Sequence, residues 1–217
     1  MPTTSSERAD AARNRRKILA AAARMVASGD AERLSLDVVA READVGVGTV
    51  YRRFGDRAGL VFALLAEQDK LFRARLVGDP PTEGDTADAP TEGSTAYGPT
   101  EGGDTAEGTP GEQLRRFLYA LVDLVVAQRE LLLVAEASSP ASRYVSDSYA
   151  FQHAHVCRLV AALRPDADAS WLADALLAPF APSLVDHQRE TAGFSPERIK
   201  AGFDQLLRGV LPPEPDA

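Results

Sequence analysis

Residues 35–57, SLDVVAREADVGVGTVYRRFGDR, hold a turn that few residue types can make, set between two stretches of helical periodicity. Ser35 can cap the free backbone donors of a first helix that places Leu36, Val39, Ala40 and Ala43 on one packed face. Asp44, Val45 and Gly46 follow; Asp and Gly sit at positive φ more easily than other residues, so the chain can change direction abruptly there. Val45 plugs the gap between the helices. The second helix runs from Val47 to Phe54 and closes on Gly55, a residue suited to the left-handed position past a helix end. Its inner face is Val50 and Phe54, which leaves Val47, Gly48, Thr49, Tyr51, Arg52 and Arg53 outward. Small residues at the entry let a backbone approach base edges, and the hydroxyl and guanidinium donors beyond them reach bases or phosphates. The pattern is that of a helix-turn-helix whose second helix enters a major groove. A plain helical hairpin with a solvated Tyr and Arg face is the alternative; the flanking helices in register weigh against it.

The stretch 12–72 resembles the DNA-binding domain of the tetracycline-repressor (TetR) family of bacterial transcriptional regulators. The resemblance is carried by an alanine-rich helix at 20–26, the Leu34-Ser35 step, the Ala43-Asp44-Val45 turn and the run Gly48-Thr49-Val50-Tyr51-Arg52-Arg53-Phe54. Three positions depart from the family pattern. Asp44 stands where glycine is usual, Gly46 where a capping serine is frequent, and Arg57 where lysine is common. Asp tolerates the turn, Arg57 keeps a phosphate-seeking charge, and Gly46 takes away the capping hydroxyl of the second helix. The resemblance implies an all-α fold, with a three-helix DNA-binding head and a helical body for ligand binding and dimerisation. It also implies three partners: a double-stranded DNA operator, a second copy of the chain and a small-molecule effector. In this reading Ser35, Thr49 and Tyr51 fasten to phosphates, Val47, Gly48 and Arg52 approach base edges, and Arg53 and Arg57 add charge.

The formal net charge of −8 is unevenly spread. Residues 1–77 carry 14 Lys and Arg against 10 Asp and Glu, whereas residues 78–111 carry eight acids and no base. Basic charge therefore collects at Arg13, Arg15, Arg16, Lys17, Arg52, Arg53 and Arg57, where DNA would lie. The first ten residues have no periodicity and are expected to form a flexible arm, followed by a helix from about Ala11 to Ala27 that packs Ile18, Ala22, Met25 and Val26. Residues 11–55 are then the DNA-binding domain. Asp56 can cap a connecting helix over 57–77, with Leu60, Leu64, Leu65, Phe72 and Leu76 as buried positions.

Composition changes abruptly at 78–111, where PTEG recurs at 81, 90 and 99 among Gly, Pro and acids. Such a segment buries too little apolar surface to offset its ordering entropy, so disorder is expected. An inert repeat expansion is the favoured reading; an acidic tether competing with DNA phosphates for the basic head is the sharper one.

The body, 112–217, is helical in pattern, with helices expected at about 112–127, 129–138, 141–164, 168–178, 182–192 and 195–210. The 129–138 helix is expected to be buried through Leu131, Leu132, Leu133 and Val134. By the resemblance the last two form the dimer surface, through Leu184, Val185, His187, Ile199, Phe203, Leu206, Leu207 and Val210. The resemblance also implies a ligand pocket, with Phe117, Leu121, Tyr144, Phe151, His153, Cys157 and Trp171 as candidates, although core is the favoured reading of each.

His153 and Cys157 lie one helical turn apart, but no third ligand completes a metal site. No metal and no cofactor are expected. The single cysteine and the absence of a long apolar run or apolar leader point to a cytoplasmic protein without a membrane segment. A phosphate-cradling glycine loop, zinc-hydrolase spacing and a nucleophile elbow are all missing, so an enzyme is not expected. The expected function is a homodimeric repressor of a palindromic operator, released by an effector. The alternative is a helical small-molecule-binding or interaction protein with a degenerate, non-specific head.

Overall fold

The turn that divides the head is made by Asp44, which takes φ 52°, the left-handed conformation anticipated for it. The computed structural model describes residues 3–28, 33–77, 108–139 and 143–210. The head consists of α1 (Thr3–Ala27), α2 (Leu36–Glu42) and α3 (Val47–Phe54), and α4 (Arg57–Val77) leads out of it. The body holds α5 (Pro110–Ala127), α6 (Arg129–Ser138), α7 (Asp147–Leu163), α8 (Ala169–Leu177), α9 (Pro182–Asp186) and α10 (Pro196–Val210). The fold is all-α, with no strand among the described residues. None of these helices is long and apolar enough to cross a membrane.

Local chemistry sets the helix ends in the head. The Ser35 hydroxyl accepts the Val38 N–H at 3.3 Å and opens α2. Gly55, at φ 73°, closes α3, and its N–H donates to the Tyr51 carbonyl at 2.8 Å. The Asp56 carboxylate then accepts the Gly59 N–H at 2.8 Å and opens α4. Ile18, Ala22, Leu36, Val39, Ala40, Val50 and Phe54 form the head core, joined by Leu60, Val61 and Leu64 from α4. Leu131 and Ala135 of α6 also belong to it, so a body helix is built into the head. The body core gathers Leu114, Phe117, Leu118 and Leu121 of α5, Val156 and Val160 of α7 and Leu177 of α8 around Phe72 of α4.

Several expected boundaries move. The first helix begins at Thr3, so the expected arm over 1–10 is helical from that residue. Most of the expected acidic linker, 78–107, lies outside the described residues. Its last residues are structured: Thr109 and Glu112 form a capping box, with Pro110 in the first turn, and α5 starts inside the segment assigned to the linker. The helix expected over 141–164 starts at Asp147, because the Ser146 hydroxyl caps it by accepting the Tyr149 N–H at 3.1 Å. The helix expected over 182–192 divides into α9 and a π-helical turn, His187–Thr191. In α6 only Leu131 of the expected apolar run is fully buried, with Leu132, Leu133 and Val134 partly so.

Gly59 is a residue the sequence pattern did not single out. A Cβ there would fall well inside contact distance of the Phe54 carbonyl oxygen, so the missing side chain lets α4 pass against the end of α3. Because the neighbour is backbone, Gly59→Ala must displace one helix. It is expected to destabilise the protein by about 1–3 kcal/mol, measured as a lower midpoint in urea unfolding. An unchanged midpoint would mean that the α3–α4 joint adjusts freely.

Candidate nucleic-acid interface

α3 buries Val50 and Phe54 and turns its remaining side chains outward. Val47 is 42% exposed and Tyr51 47%, high for large apolar or aromatic residues. Between them Gly48 has open space where a side chain would stand, and Thr49 is half-exposed. Arg52, Arg53 and Arg57 are exposed. Six of the eight residues expected from sequence belong to α3. Ser35 sits at the start of α2 and Arg57 at the start of α4. The Ser35 oxygen caps α2, and a hydroxyl can donate as well as accept. Tyr51 O–H reaches Asp37 of α2 at 3.5 Å, a long contact that holds the ring near the α2 entry without locking it.

The cations are held close together. Arg53 donates through Nη1 to the Ala11 carbonyl of α1. Its pKa is pulled below the ordinary arginine value, first by burial and then by the Arg15 and Arg52 guanidiniums. Arg15 in turn lies 5.9 Å from the Phe54 ring centroid. Like charges packed this way repel until an anion answers them, so the α1–α3 edge is suited to a polyanion. Gly46 supplies no capping side chain to α3, as its identity implied. The first turn is closed by backbone alone, with Thr49 N–H on the Gly46 carbonyl at 2.8 Å.

Residues 18–64, within this head, match the model of bacterial regulatory proteins of the tetR family. The head is a TetR-family head. Solved structures share the fold. A TetR-family transcriptional regulator from Pectobacterium atrosepticum superposes with a TM-score of 0.62 at 21% identity, over 94% of this chain and 97% of that one. A TetR-like regulator from a Rhodococcus species gives 0.55 at 18% identity, over 91% and 95% of the two chains. NalD, the secondary repressor of the MexAB-OprM multidrug efflux pump in Pseudomonas aeruginosa, gives 0.53 at 19%, over 94% and 98%. None of the curated proteins matches the sequence. The head match supports a DNA-binding transcriptional regulator, and the solved structures share the fold.

The body holds a partly open cavity of about 380 Å³ between α4, α5, α6 and the start of α7. Of the pocket residues expected from sequence, Leu121 lines it. The others lie elsewhere. Phe117 is buried in the body core against Phe72, with ring centroids 5.9 Å apart. Tyr144 and Trp171 are exposed, the latter by 66%. Phe151 sits under the Arg73 guanidinium at 4.6 Å, and Cys157 packs on the core. His153 faces α8, its Nε2 3.2 Å from the Ser170 carbonyl and 3.5 Å from Asp174. Ser146, Ser148, Tyr149 and Gln152 face the cavity, and the neighbouring face carrying His153 goes to α8. Tyr149 donates to Asp174 at 2.5 Å, and its pKa is pushed up to about 12 by burial and by that carboxylate, so it stays a phenol. Among the described residues no group of three or more His, Cys, Asp or Glu could hold a metal ion.

The expected dimer residues divide in two. Val185, Phe203 and Leu207 are buried in the body core, and Ile199 is partly buried against it. Leu184, His187 and Leu206 point outward, with Leu206 48% exposed. The side chain of Val210, which ends α10, lies outside the described residues.

A serine at position 46 should restore the missing cap. A Cβ there meets only Thr49 Oγ1, at 3.8 Å, and the backbone is already extended at φ −63°, ψ 132°. Gly46→Ser is expected to stabilise the head by a few tenths to about 1 kcal/mol, visible as a raised melting temperature; a lowered one would show that the glycine itself is needed there.

Proposed function

We propose that the chain is a homodimeric repressor that binds a palindromic operator in the bacterial cytoplasm and leaves it when a small molecule enters the α4–α7 cavity. The observation that carries the reading is the outer face of α3, small at its entry and donor-rich beyond, beside the Arg15, Arg52 and Arg53 cluster. Val47, Gly48 and Arg52 approach base edges. Ser35, Thr49 and Tyr51 fasten to phosphates, and Arg53 and Arg57 add charge. A single head of this size binds weakly, and a second copy held one DNA turn away, roughly 34–36 Å, supplies the other half-site. The outward Leu184, His187 and Leu206 fit the dimer contact, with Val185, Phe203 and Leu207 supporting it from within.

Two features favour effector control. α4 contributes Leu60, Val61 and Leu64 to the head core and Phe72 to the body core, while Leu65, Asp69 and Arg73 line the cavity. α6 does the same, with Leu131 and Ala135 in the head core and Leu132 and Glu136 on the cavity wall. A ligand that prefers one placement of these helices therefore shifts the heads with them.

Selection of bound sequences from random duplex DNA at about 150 mM salt, where non-specific binding is suppressed, should enrich an inverted repeat. Failure to enrich one with folded protein would favour a body that binds small molecules and a head that no longer discriminates. On the selected operator, Tyr51→Ala should weaken all sequences alike, whereas Arg52→Ala should relax one base position by about 1–3 kcal/mol. Equal losses on every sequence would reassign Arg52 to the backbone. In operator-binding titrations, Arg57→Gln should lower the slope of log affinity against log salt by about 1; an unchanged slope would remove Arg57 from the phosphate contacts.

A further inference from the structure

Apolar side chains form most of the cavity wall, among them Leu121, Val125, Leu132 and Phe180. Three acids and three bases interrupt it: Asp69, Glu136 and Asp147 against Lys70, Arg73 and Arg143. The less exposed of these charges are already answered by the protein. Asp69 holds Arg73 Nη2 at 2.6 Å. Glu136 accepts the Ser183 N–H at 3.0 Å, and Arg143 Nη2 donates to the Leu177 carbonyl at 2.7 Å. Burial pulls the Arg143 guanidinium below the ordinary arginine value, while Tyr144, Tyr149 and Glu136 act the other way. Arg73 Nε and Arg143 Nη1 have no partner among the described residues, but both are cut off from solvent, so an occupant of the cavity does not reach them. Lys70 and Asp147 are exposed and opposite in sign, and two solvated charges of this kind favour neither an anion nor a cation.

The neutral polar groups on the wall are in a different state. Gln128, where α5 meets α6, and Ser148 and Gln152 of α7 line the same space. All three are half-buried, and their side chains meet no hydrogen-bond partner among the described residues. An amide both donates and accepts, so either a hydroxyl or a carbonyl satisfies it. What the cavity offers an incoming molecule is therefore apolar surface and uncharged hydrogen-bonding groups.

We infer that the cavity takes an uncharged organic molecule, with an apolar body lying along Leu121, Val125 and Leu132 and a hydroxyl or carbonyl group bonded to Gln128 or Gln152. The inference rests on the proposed effector site and names the chemical class of its occupant. An ion that enters sheds its water and finds the wall's less exposed charges already taken, so its desolvation is not repaid. A hydroxyl loses far less on entry and recovers it in a hydrogen bond to a free amide. The volume, about 380 Å³, falls within the small-molecule range of about 300–1,000 Å³.

The test is calorimetric titration of the full chain with 1-octanol, octanoate and octylamine at neutral pH, with melting temperature as a second readout. 1-Octanol is expected to bind at least about tenfold more tightly than either ion. Octanoate or octylamine binding as tightly as 1-octanol overturns the uncharged class and leaves the cavity as an effector site. Asp69→Asn, which leaves Arg73 unanswered on the wall, is expected to raise octanoate affinity severalfold relative to 1-octanol; an unchanged ratio overturns the argument from paired charges. Gln128→Leu combined with Gln152→Leu is expected to weaken 1-octanol at least about threefold, and unchanged affinity overturns the amide contacts. If these variants do not fold, the three-ligand series on the unaltered chain decides alone. No binding by any of the three overturns the inference, while enrichment of an operator, measured without ligand, separately tests the regulator reading.

Discussion

The α3–α4 joint governs the head, because the helix that presents the outward donors is fixed through a contact only glycine permits. Gly55 turns the chain at φ 73°, Asp56 restarts it, and Gly59 lets the new helix press its backbone against the Phe54 carbonyl. Phe54 is itself buried beneath Arg15. α3 therefore cannot tilt without moving α4, and α4 is one continuous helix of 21 residues, about 31 Å long. The orientation of the recognition helix is set by the same element that reaches the body core at Phe72.

Much of this was legible locally. Val47–Phe54 and Arg57–Val77 follow from short-range signals: a residue tolerant of positive φ, a closing glycine, a capping aspartate and periodic apolar positions. The buried faces of α2 and α3 came out as their spacing required. Signals of the same kind at Thr109-Pro110-Gly111-Glu112 and at Ser146 were present and overlooked, the first because it lay within a segment dominated by PTEG repeats. The cavity was a different matter. Asp69 and Arg73 look like the solvated face of a helix until α6 and α7 pack across them, and Gly59 looks like a weak point in a helix until the carbonyl it faces is known. Their meaning depends on residues far away in sequence.

Charge follows the same division. The Arg15, Arg52 and Arg53 guanidiniums gather on one edge of the head, and Arg53 is held there against the repulsion of the other two. The body commits its cations individually: Arg129 to Asp186 and Glu190, Arg115 to Asp204, Lys200 to Asp123. Each pair joins a half-buried partner to a more exposed one, and such surface pairs contribute little stability individually. They do keep the α5–α10 and α6–α9 faces electrically closed, which leaves the basic edge of the head as the place where a polyanion gains most.

Coupling between cavity and head is limited by what differs between two placements of α4. A ligand bound equally well in both shifts nothing, and moving an equilibrium from 1:99 to 99:1 takes about a 10⁴-fold preference. Contacts to α5 alone cannot supply that, since α5 is anchored in the body core. The useful contacts are those to Leu65, Asp69 and Arg73 on α4 and to Leu132 and Glu136 on α6, the helices shared with the head. A second cavity, about 530 Å³, borders α4 along Leu64, Gln68, Phe72 and Leu76, between it and α1 and α5. Close-packed interiors resist displacement, so open space on these two sides makes α4 easier to shift than a helix packed all round. Its amino-terminal joint, held at Gly59, would carry that movement to α3.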